Sequence, residues 1–323
     1  MNIYPATTKN VKKAAEVIKA GGLVAFPTET VYGLGANGLD PIASVKIFEV
    51  KERPSFNPLI LHISDINQFH ELTNIKAAHL EEVIKNFWPG ALTLVVPKND
   101  VVPDIVTSGH DSVAIRMPDH PVALELIKKC NTPIAAPSAN KFSQLSPTTA
   151  AHVKKQLGDE VEMILDGGPC KIGVESTILR VTNRGYELLR PGGIEIEKLE
   201  GIVGKILILP QRDKTPIAPG MLPFHYAPET PLAFLTKENL KKYSGKNVGA
   251  LHFCENKTGV KFKIEKFLSR TGDMREASAN LFAYLHEMEN EELDIILVEK
   301  FKEEGLGRAI MDRLKKASNK YLD

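Results

Sequence analysis

The stretch Phe26-Pro27-Thr28-Glu29-Thr30-Val31-Tyr32-Gly33-Leu34 decides how the rest of the chain is interpreted. It follows a short apolar run, Leu23 to Phe26, which predicts a buried strand. Polar side chains crowded just past the carboxyl end of a strand often line a ligand site, because the strand holds them still. An ordinary strand-to-helix loop is the alternative, so the stretch needs support from the rest of the chain.

Helix and strand patterns alternate around this stretch. Thr8 is predicted to cap a helix that stops at Gly21-Gly22, and Asp40-Pro41 opens a second helix. Short apolar runs predict further strands, the last of them at Tyr186 to Leu189. This alternation predicts a mixed α/β domain over residues 1–205.

The composition changes after this domain. Residues 206–230 are rich in proline, which predicts a semi-rigid connector, and they also carry apolar groups such as Ile217, Met221 and Tyr226. These groups indicate that the connector docks on the first domain as a cover over a site, and a plain spacer is the alternative. Residues 231–323 show three predicted strands alternating with helices. We expect a small, open, parallel sheet there, which is a Rossmann-like α/β domain.

Size and charge exclude several classes of protein. The chain has 323 residues, of which 43% are hydrophobic and 25% charged, and its formal net charge is +1. The net charge therefore gives no indication that the protein binds nucleic acid or an acidic membrane. No apolar run approaches the roughly 18 residues that span a bilayer, and the polar first ten residues lead us to expect a cytoplasmic protein without a secretory signal. The three cysteines stand far apart, which predicts buried thiols rather than a zinc site or disulfides.

Cations and hydroxyls that suit an anionic ligand occur in clusters. Lys51 and Arg53 stand before Asn57, which has a proline on each side; cations that simply favour a helix C-terminus are the alternative. Arg116 lies on an apolar strand and needs an anionic partner, either a ligand or an internal carboxylate. His62, also on a predicted strand, is either a ligand contact or a core residue.

Two further hydroxyl-rich segments follow predicted strands. Pro137-Ser138-Ala139-Asn140 precedes a helix start and is either an anion site or a capped turn. Glu175-Ser176-Thr177-Ile178 opens a strand, and Arg190 ends another before Pro191-Gly192-Gly193. The chain has no GxxxxGK[ST], so a bound triphosphate would need a phosphate site other than that loop.

These segments, in this order and spacing, resemble the YrdC-like family. The signature K-x-R…S-x-N of that family occurs here as Lys51, Arg53, Ser138 and Asn140. The resemblance covers about the first 195 residues, and the connector sequence Pro223-Phe224-His225-Tyr226 with the small last domain extends it to the long, two-domain form. It implies a twisted mixed sheet with helices and a concave, basic face.

The resemblance also implies a reaction and a set of ligand contacts. L-threonine, bicarbonate and ATP, with Mg²⁺ on the triphosphate, would give threonylcarbamoyl-AMP and pyrophosphate, and a separate tRNA threonylcarbamoyl transferase complex would use the product. Lys51 and Arg53 would act electrostatically, and no metal ligand from the protein is implied. The implied L-threonine contacts are Thr30, His62, Arg116, Ala136 and Ser176. The implied ATP contacts are Arg53, Asn57, Ser112, Ser138, Asn140, Ser146, Arg190 and Tyr226.

Two other functions are compatible with parts of this pattern. A basic concave face could bind double-stranded RNA or tRNA as a translation factor without catalysis. Carbamoyl transfer of the hydrogenase-maturation type shares the domain, but it uses paired CxxC zinc modules that this sequence lacks. The group that deprotonates the threonine ammonium is left open, with Glu29 and His62 as candidates.

Overall fold

The computed structural model describes residues 2–208 and 216–321. Within residues 2–208, eleven strands form one sheet. They are β1 (Ile3–Pro5), β2 (Val24–Phe26), β3 (Gly33–Asn37), β4 (Ile60–His62), β5 (Leu92–Pro97), β6 (Ser112–Arg116), β7 (Ile134–Ala135), β8 (Met163–Asp166), β9 (Thr177–Thr182), β10 (Gly185–Arg190) and β11 (Leu207–Ile208). Their order is β1-β8-β2-β3-β7-β4-β6-β5-β9-β10-β11, with parallel and antiparallel pairs mixed. This N-terminal domain confirms the predicted mixed α/β class.

Eight helices in the same part of the chain flank the sheet. They are α1 (Thr8–Lys19), α2 (Pro41–Lys51), α3 (Ile66–Leu72), α4 (Leu80–Phe87), α5 (Asp104–Thr107), α6 (Pro121–Cys130), α7 (Ala150–Leu157) and α8 (Ile196–Val203). The predicted cap of α1 was off by one residue, because the side chain that accepts from Asn10 N belongs to Thr7. Asp40 caps α2 as predicted, since its carboxylate accepts from Ile42 N and Ala43 N.

The stretch from Phe26 to Leu34 turns between two antiparallel strands, β2 and β3, and does not lead into a helix. Glycine permits this pairing, because a Cβ at Gly35 would lie 2.8 Å from both the Phe26 ring and the Ile134 side chain. Main-chain bonds hold the turn from two sides: Tyr32 N donates to Pro147 O, and Glu29 O accepts from Ile172 N. The polar side chains of the turn are therefore fixed in place.

Residues 232–321 form the C-terminal domain around a second, parallel sheet. Its strands are β12 (Leu232–Phe234), β13 (Val248–His252), β14 (Ile264–Phe267) and β15 (Ile295–Val298), in the order β12-β15-β13-β14. Its helices are α9 (Lys237–Lys242), α10 (Met274–Met288) and α11 (Leu306–Asn319). The prediction of a parallel sheet is confirmed, but it missed β14.

The spacing of Asp273 and Glu276 in the sequence predicts a capping box at the start of α10, and the structure forms only half of it. Asp273 accepts from Arg275 N and Glu276 N. The Glu276 carboxylate does not accept a bond from Asp273 N in return; it accepts from Ser269 Oγ at 2.5 Å, and that hydroxyl accepts from Asp273 N.

The prediction of buried thiols was wrong in part, because Cys254 is partly exposed while Cys130 and Cys170 are buried.

The connector, described over residues 216–230, lies against the N-terminal domain. Ile217, Ala218 and Met221 pack on one face of the large sheet. That sheet face is apolar and consists of Ile60, Val95, Ala114, Ile178 and Leu189. Phe224, another apolar residue of the connector, is half exposed. Over the described ranges, no helix combines the length and apolar character needed to cross a membrane.

Candidate active site

Three arginines from separate parts of the sequence line one cavity of the N-terminal domain. Arg53 follows α2, Arg116 ends β6 and Arg190 ends β10. All three residues are buried. Since a buried cation is costly unless acceptors or anions surround it, this concentration of guanidinium groups suits an anionic ligand.

The five residues that the resemblance assigns to threonine all face this cavity. They come from the β2–β3 turn, from β4 and β6, from the segment after β7 and from the segment before β9. They are Thr30, His62, Arg116, Ala136 and Ser176. The fold brings them together because β4, β6 and β7 are neighbours in the sheet. Their contact with threonine stays a prediction.

The residues assigned to ATP fall into two groups. Arg53, Ser138, Arg190 and Tyr226 line the cavity, whereas Asn57, Ser112, Asn140 and Ser146 do not. Asn57 lies behind Arg53, whose Nε donates to the Asn57 backbone oxygen at 3.0 Å. Ser112 is the half-buried first residue of β6. Asn57 thus supports the wall of the cavity, whereas among the described residues no such contact connects Ser112 with it, and the ATP contacts of the second group stay predictions.

Arg116 has an internal carboxylate partner. Its Nη2 lies 2.6 Å from Glu29 Oε1, and both side chains are buried. Its Nη1 donates to Thr30 Oγ1 at 2.9 Å, and its Nε donates to Gly90 O at 3.2 Å. Glu29 itself does not line the cavity, while Thr30 and Arg116 do. Glu29 therefore holds the guanidinium from behind and leaves its cavity side accessible to a ligand.

Arg190 and Ser176 form another part of the wall. Arg190 Nη2 donates to Ser176 O at 2.9 Å and to Ser176 Oγ at 3.2 Å. The Ser176 hydroxyl also lies 2.7 Å from Thr93 Oγ1 of β5. Arg190 Nη1 reaches Pro219 O of the connector at 3.1 Å. One arginine thus joins the sheet edge, the predicted threonine contact and the connector.

Lys51 and Asn140 lie behind the cavity wall. The Lys51 ammonium is buried and donates to Ser138 O at 2.6 Å and to Asn140 O. The Asn140 amide donates to Lys141 O at 2.8 Å and Gln144 O at 2.9 Å. Burial lowers the pKa of Lys51 well below its ordinary value, and the nearby Arg53 charge adds to the effect. The contacts assign Lys51 to shaping the 138–140 segment, and they give no direct contact with the cavity.

Two other groups on the wall stay uncharged at neutral pH. Burial, with the Arg116 charge, lowers the pKa of His62 to about 3. Burial, with the Glu175 charge, raises the pKa of Tyr226 to about 12. His62 can therefore accept or donate a hydrogen bond as a neutral ring, but an imidazolium there is disfavoured. As a proton acceptor for threonine, His62 is a weak candidate.

Several cavity residues were missed by the sequence analysis as ligand contacts. Glu175 and His225 stand next to predicted contacts, so the motifs that carry Ser176 and Tyr226 could have indicated them. Gly220 is a close-approach glycine: a Cβ there would lie 2.3 Å from Tyr226 Oη. Glu175 binds two partners, Ser146 through Oε1 and Arg313 of α11 through Oε2 at 2.9 Å. No sequence signal pointed to Arg313.

The cavity can bind and orient anions more readily than it can transfer protons. Three guanidinium groups and one carboxylate, Glu175, line it, with the hydroxyls of Thr28, Thr30, Ser138 and Ser176 between them. Within the described ranges, no group of three or more His, Cys, Asp or Glu residues could hold a metal ion. The chemistry available is charge neutralisation and alignment.

Known proteins resemble this chain over nearly its whole length. The family model described as "Telomere recombination" matches residues 16–192, and the one described as "Threonylcarbamoyl-AMP synthase, C-terminal domain" matches residues 194–319. A threonylcarbamoyl-AMP synthase of Bacillus subtilis is 44% identical over 321 residues, which cover 95% of this chain and 92% of that protein. The one of Pyrococcus abyssi is 42% identical and covers 95% of this chain and 94% of its own length.

A solved structure agrees with the architecture as well. The crystal structure of P. abyssi Sua5 complexed with L-threonine superposes with a TM-score of 0.90 at 42% identity, covering 98% of this chain and 96% of that one. The superposition thus extends over both domains. The chain belongs to the threonylcarbamoyl-AMP synthase family, in its two-domain form.

Proposed function

We propose that this protein is an L-threonylcarbamoyladenylate synthase, a nucleotidyltransferase that makes threonylcarbamoyl-AMP from L-threonine, bicarbonate and ATP. The observation that carries the proposal is the convergence of Arg53, Arg116 and Arg190 on one cavity with the predicted threonine contacts. Relatives at 42–44% identity bear the name of this activity, and the P. abyssi relative was solved with L-threonine. The product would serve tRNA modification in the cytoplasm, through a separate transferase complex.

The reaction joins two anions, so positioning is the main requirement. The amine of threonine attacks the carbon of bicarbonate, and loss of water leaves a carbamate. A carbamate oxygen then attacks the α-phosphorus of ATP, and the bond to the bridging oxygen of pyrophosphate breaks. Both partners are negatively charged, and fixed guanidinium groups reduce their repulsion. Alignment of this kind is worth roughly 7–11 kcal/mol in favourable cases.

The walls of the cavity suggest where each substrate lies. We assign the threonine carboxylate to Arg116 and its hydroxyl and amine to the region of Thr30, His62 and Ser176. The triphosphate belongs near Arg53, Ser138 and Arg190. The two regions meet at Ser176, whose hydroxyl contacts Arg190. Under this assignment the carbamate and the α-phosphate would lie next to each other.

Mg²⁺ is expected to enter with the triphosphate. The only carboxylate among the described residues that line the cavity is Glu175, and Ser146 and Arg313 already occupy its two oxygens. Phosphate oxygens and water would therefore supply the ligands of the ion. The ion would neutralise part of the triphosphate charge, and the protein residues would bind the phosphate oxygens that the ion leaves free.

The connector must move for a nucleotide to enter. The cavity has a volume of about 40 Å³, whereas sites for ligands of drug size have about 300–1,000 Å³. Four connector residues line the cavity, namely Pro219, Gly220, His225 and Tyr226. We propose that these residues withdraw to admit ATP and close again over the substrates.

Pyrophosphate release tests the proposed function directly. The purified protein should release pyrophosphate from ATP only when L-threonine and bicarbonate are both present, and the nucleotide product should have the mass of threonylcarbamoyl-AMP. L-Valine, which replaces the hydroxyl by a methyl group, serves as the matched control and should react far more slowly. Tight tRNA binding without any turnover would instead favour the translation-factor alternative and overturn the proposal.

A further inference from the structure

Glu175 presents a physical problem for a cavity that accepts a triphosphate. Its carboxylate is buried and lines the cavity beside Arg190. A charged carboxylate at this place would repel phosphate oxygens, and a buried anion without a strong partner is costly. The negative charge of Glu175 must therefore be neutralised by a partner if a triphosphate is to bind beside it.

The partner comes from the other domain. Arg313, on the last helix, is 1% exposed and donates from Nε to Glu175 Oε2 at 2.9 Å. Its Nη1 donates to Pro191 O at 2.6 Å, and its Cζ lies 5.1 Å from the centre of the Tyr226 ring. Glu175, Pro191 and Tyr226 belong to the cavity wall, to the segment after β10 and to the connector. Arg313 thus touches three parts of the site without lining the cavity.

The same face of α11 also holds the connector. Lys316 Nζ donates to Gly220 O at 2.7 Å, and Lys316 O accepts from His225 N at 3.4 Å. Asn319 Nδ2 donates to Pro223 O at 2.9 Å. The placement of Arg313 is therefore part of an extended contact between α11 and the wall of the cavity.

We propose that Arg313 is a positioning residue of the active site, which the C-terminal domain supplies to neutralise Glu175 so that the cavity can bind the triphosphate of ATP. The inference rests on the proposed function, and it gives the C-terminal domain a role in nucleotide binding. Glu175 and Arg313 act as a pair: removal of Arg313 leaves the buried carboxylate with Arg190 as its remaining cation, whereas neutral replacement of both removes that carboxylate as well. Asp312, which also pairs with Arg313 at 3.1 Å, keeps Lys316 as a partner in either case.

The charged groups that face Glu175 predict a distinctive pH dependence. They are Arg313 from α11 and Arg190 from β10, and the hydroxyls of Ser146 and Tyr226 complete its surroundings. Burial by itself raises the pKa of this carboxyl, but the two guanidinium charges and the Ser146 bond outweigh burial and keep the pKa below its ordinary value. Without Arg313 the pKa of Glu175 rises. The carboxylate then repels phosphate at high pH and becomes neutral as the pH falls.

The experiment uses the full-length chain and three variants. Arg313→Met keeps the length of the side chain and removes its charge, and Glu175→Gln/Arg313→Met removes both charges. Arg308→Met is the matched control, because Arg308 lies on the same helix and pairs across the domains with Glu197 at 3.0 Å, but in a partly exposed position. Affinity for a non-hydrolysable ATP analogue and for L-threonine is measured by calorimetry at pH 6, 7 and 8.

We expect Arg313→Met to bind the analogue at least about tenfold more weakly than wild type at pH 8, with the deficit shrinking towards pH 6. The double variant should recover most of the affinity and lose the pH-dependent deficit. L-Threonine affinity should change little, which separates this effect from general unfolding, and Arg308→Met should bind like wild type.

Two results would overturn the inference. One is an Arg313→Met deficit that is the same at every pH and is not relieved in the double variant. The other is equal loss of threonine and nucleotide affinity. Analogue binding does not require turnover, so failure of the proposed function would appear separately, as a wild-type chain that binds the analogue but releases no pyrophosphate.

Discussion

At the scale of single residues, Arg116 can hold an internal carboxylate and a substrate carboxylate at the same time. A guanidinium carries five N–H groups, and in the described part of the chain Arg116 gives three of them to Gly90, Thr30 and Glu29. The two alternatives posed by the sequence, a ligand or an internal ion pair, are therefore compatible. Glu29 fixes the orientation of the fork, and the cavity side is left for the ligand.

Replacing Arg116 by lysine should weaken threonine binding selectively. Lysine keeps the charge next to Glu29 but loses the planar fork that fits a carboxylate. We expect a loss of about 2 kcal/mol or more, which is at least about 30-fold in the dissociation constant for threonine. Affinity for an ATP analogue should change by less than about threefold, since the triphosphate is assigned to other arginines. Calorimetric titration with each ligand measures both effects.

The control is the same exchange at a distant arginine. Arg180 of β9 makes a close ion pair with Glu187 of β10 in a partly exposed position. Arg180→Lys should leave both affinities unchanged. If Arg116→Lys weakened threonine and the ATP analogue to the same extent, Arg116 would not be the carboxylate contact.

Residue identities on the cavity wall could be predicted where a motif carried them. Four members of the threonine set follow or end a strand, and Ser176 directly precedes β9. All five reach the cavity because these strands lie close together in one sheet. The position of Lys51 behind the wall could not be predicted. A buried ammonium that binds backbone carbonyls has the same sequence pattern as one that binds phosphate, and only the path of the 138–140 segment distinguishes them.

At the scale of elements, the connector depends on one glycine. Gly220 has φ of +79°, and a Cβ at this position would lie 2.3 Å from Tyr226 Oη and 2.9 Å from Arg190 Cδ. Tyr226 itself has φ of +63°, which is uncommon for a residue with a side chain. The closed position therefore requires both an unusual backbone and a close approach.

Gly220→Ala should displace the connector and lower activity. The added methyl group cannot fit between the connector and Arg190, so residues 216–227 should exchange amide hydrogens faster, and kcat/KM for ATP should fall at least about tenfold. Gly245→Ala is the matched control, because Gly245 has the same φ of +79° and no atom within 4 Å of the added Cβ. It should cost about 1 kcal/mol of stability and leave kcat/KM unchanged. Equal activity of the two variants would contradict a covering role for the connector.

Element boundaries could be predicted where the signal is local. Helix α10 was predicted closely because Asp273 caps its first turn. Strand β3 was missed because it begins Gly-Leu-Gly, and glycine is depleted in strands. A glycine is required here, because the side chains of Phe26 and Ile134 occupy the space that a Cβ at Gly35 would fill. Strand β14 was missed because it is short and only partly buried along its length, so its apolar alternation is weak.

At the scale of the whole molecule, the two domains share one apolar cluster. Val31, Leu145 and Val174 of the N-terminal domain pack in it with Tyr226 of the connector and with residues of the C-terminal domain. No sequence pattern gives this arrangement, since Glu175 and Arg313 are 138 positions apart and meet only because the domains dock. The cavity could be predicted from its motifs, whereas the support from the second domain required the structure.

A pair of stacked histidines lies where the domains meet. His152 of α7 and His286 of α10 have ring centres 4.0 Å apart, and His286 Nε2 lies 3.1 Å from Ser146 O. Burial, with the neighbouring His286 and Lys155, lowers the pKa of His152 to about 3. An unfolded histidine titrates near 6.5. Below about pH 6.5, His152 is protonated in the unfolded chain but not in the folded chain. The free energy of unfolding must therefore fall as the pH drops from about 6.5 towards 3.

Replacing His152 by glutamine should therefore flatten the acid side of the stability profile. The linkage approaches about 1.4 kcal/mol per pH unit only well below about pH 6.5, and it integrates to about 1 kcal/mol between pH 6.5 and 5.5. Partial exposure of His152 reduces the expected difference to about 0.7 kcal/mol. Urea unfolding at pH 7.5, 6.5 and 5.5 should show wild type losing this much more stability than His152→Gln over the lower interval. His70→Gln, at an exposed position of α3, controls for the loss of a histidine as such. Since the ring stacks across the domains, parallel profiles of wild type and His152→Gln would mean that the folded interface accepts the proton as readily as the unfolded chain does.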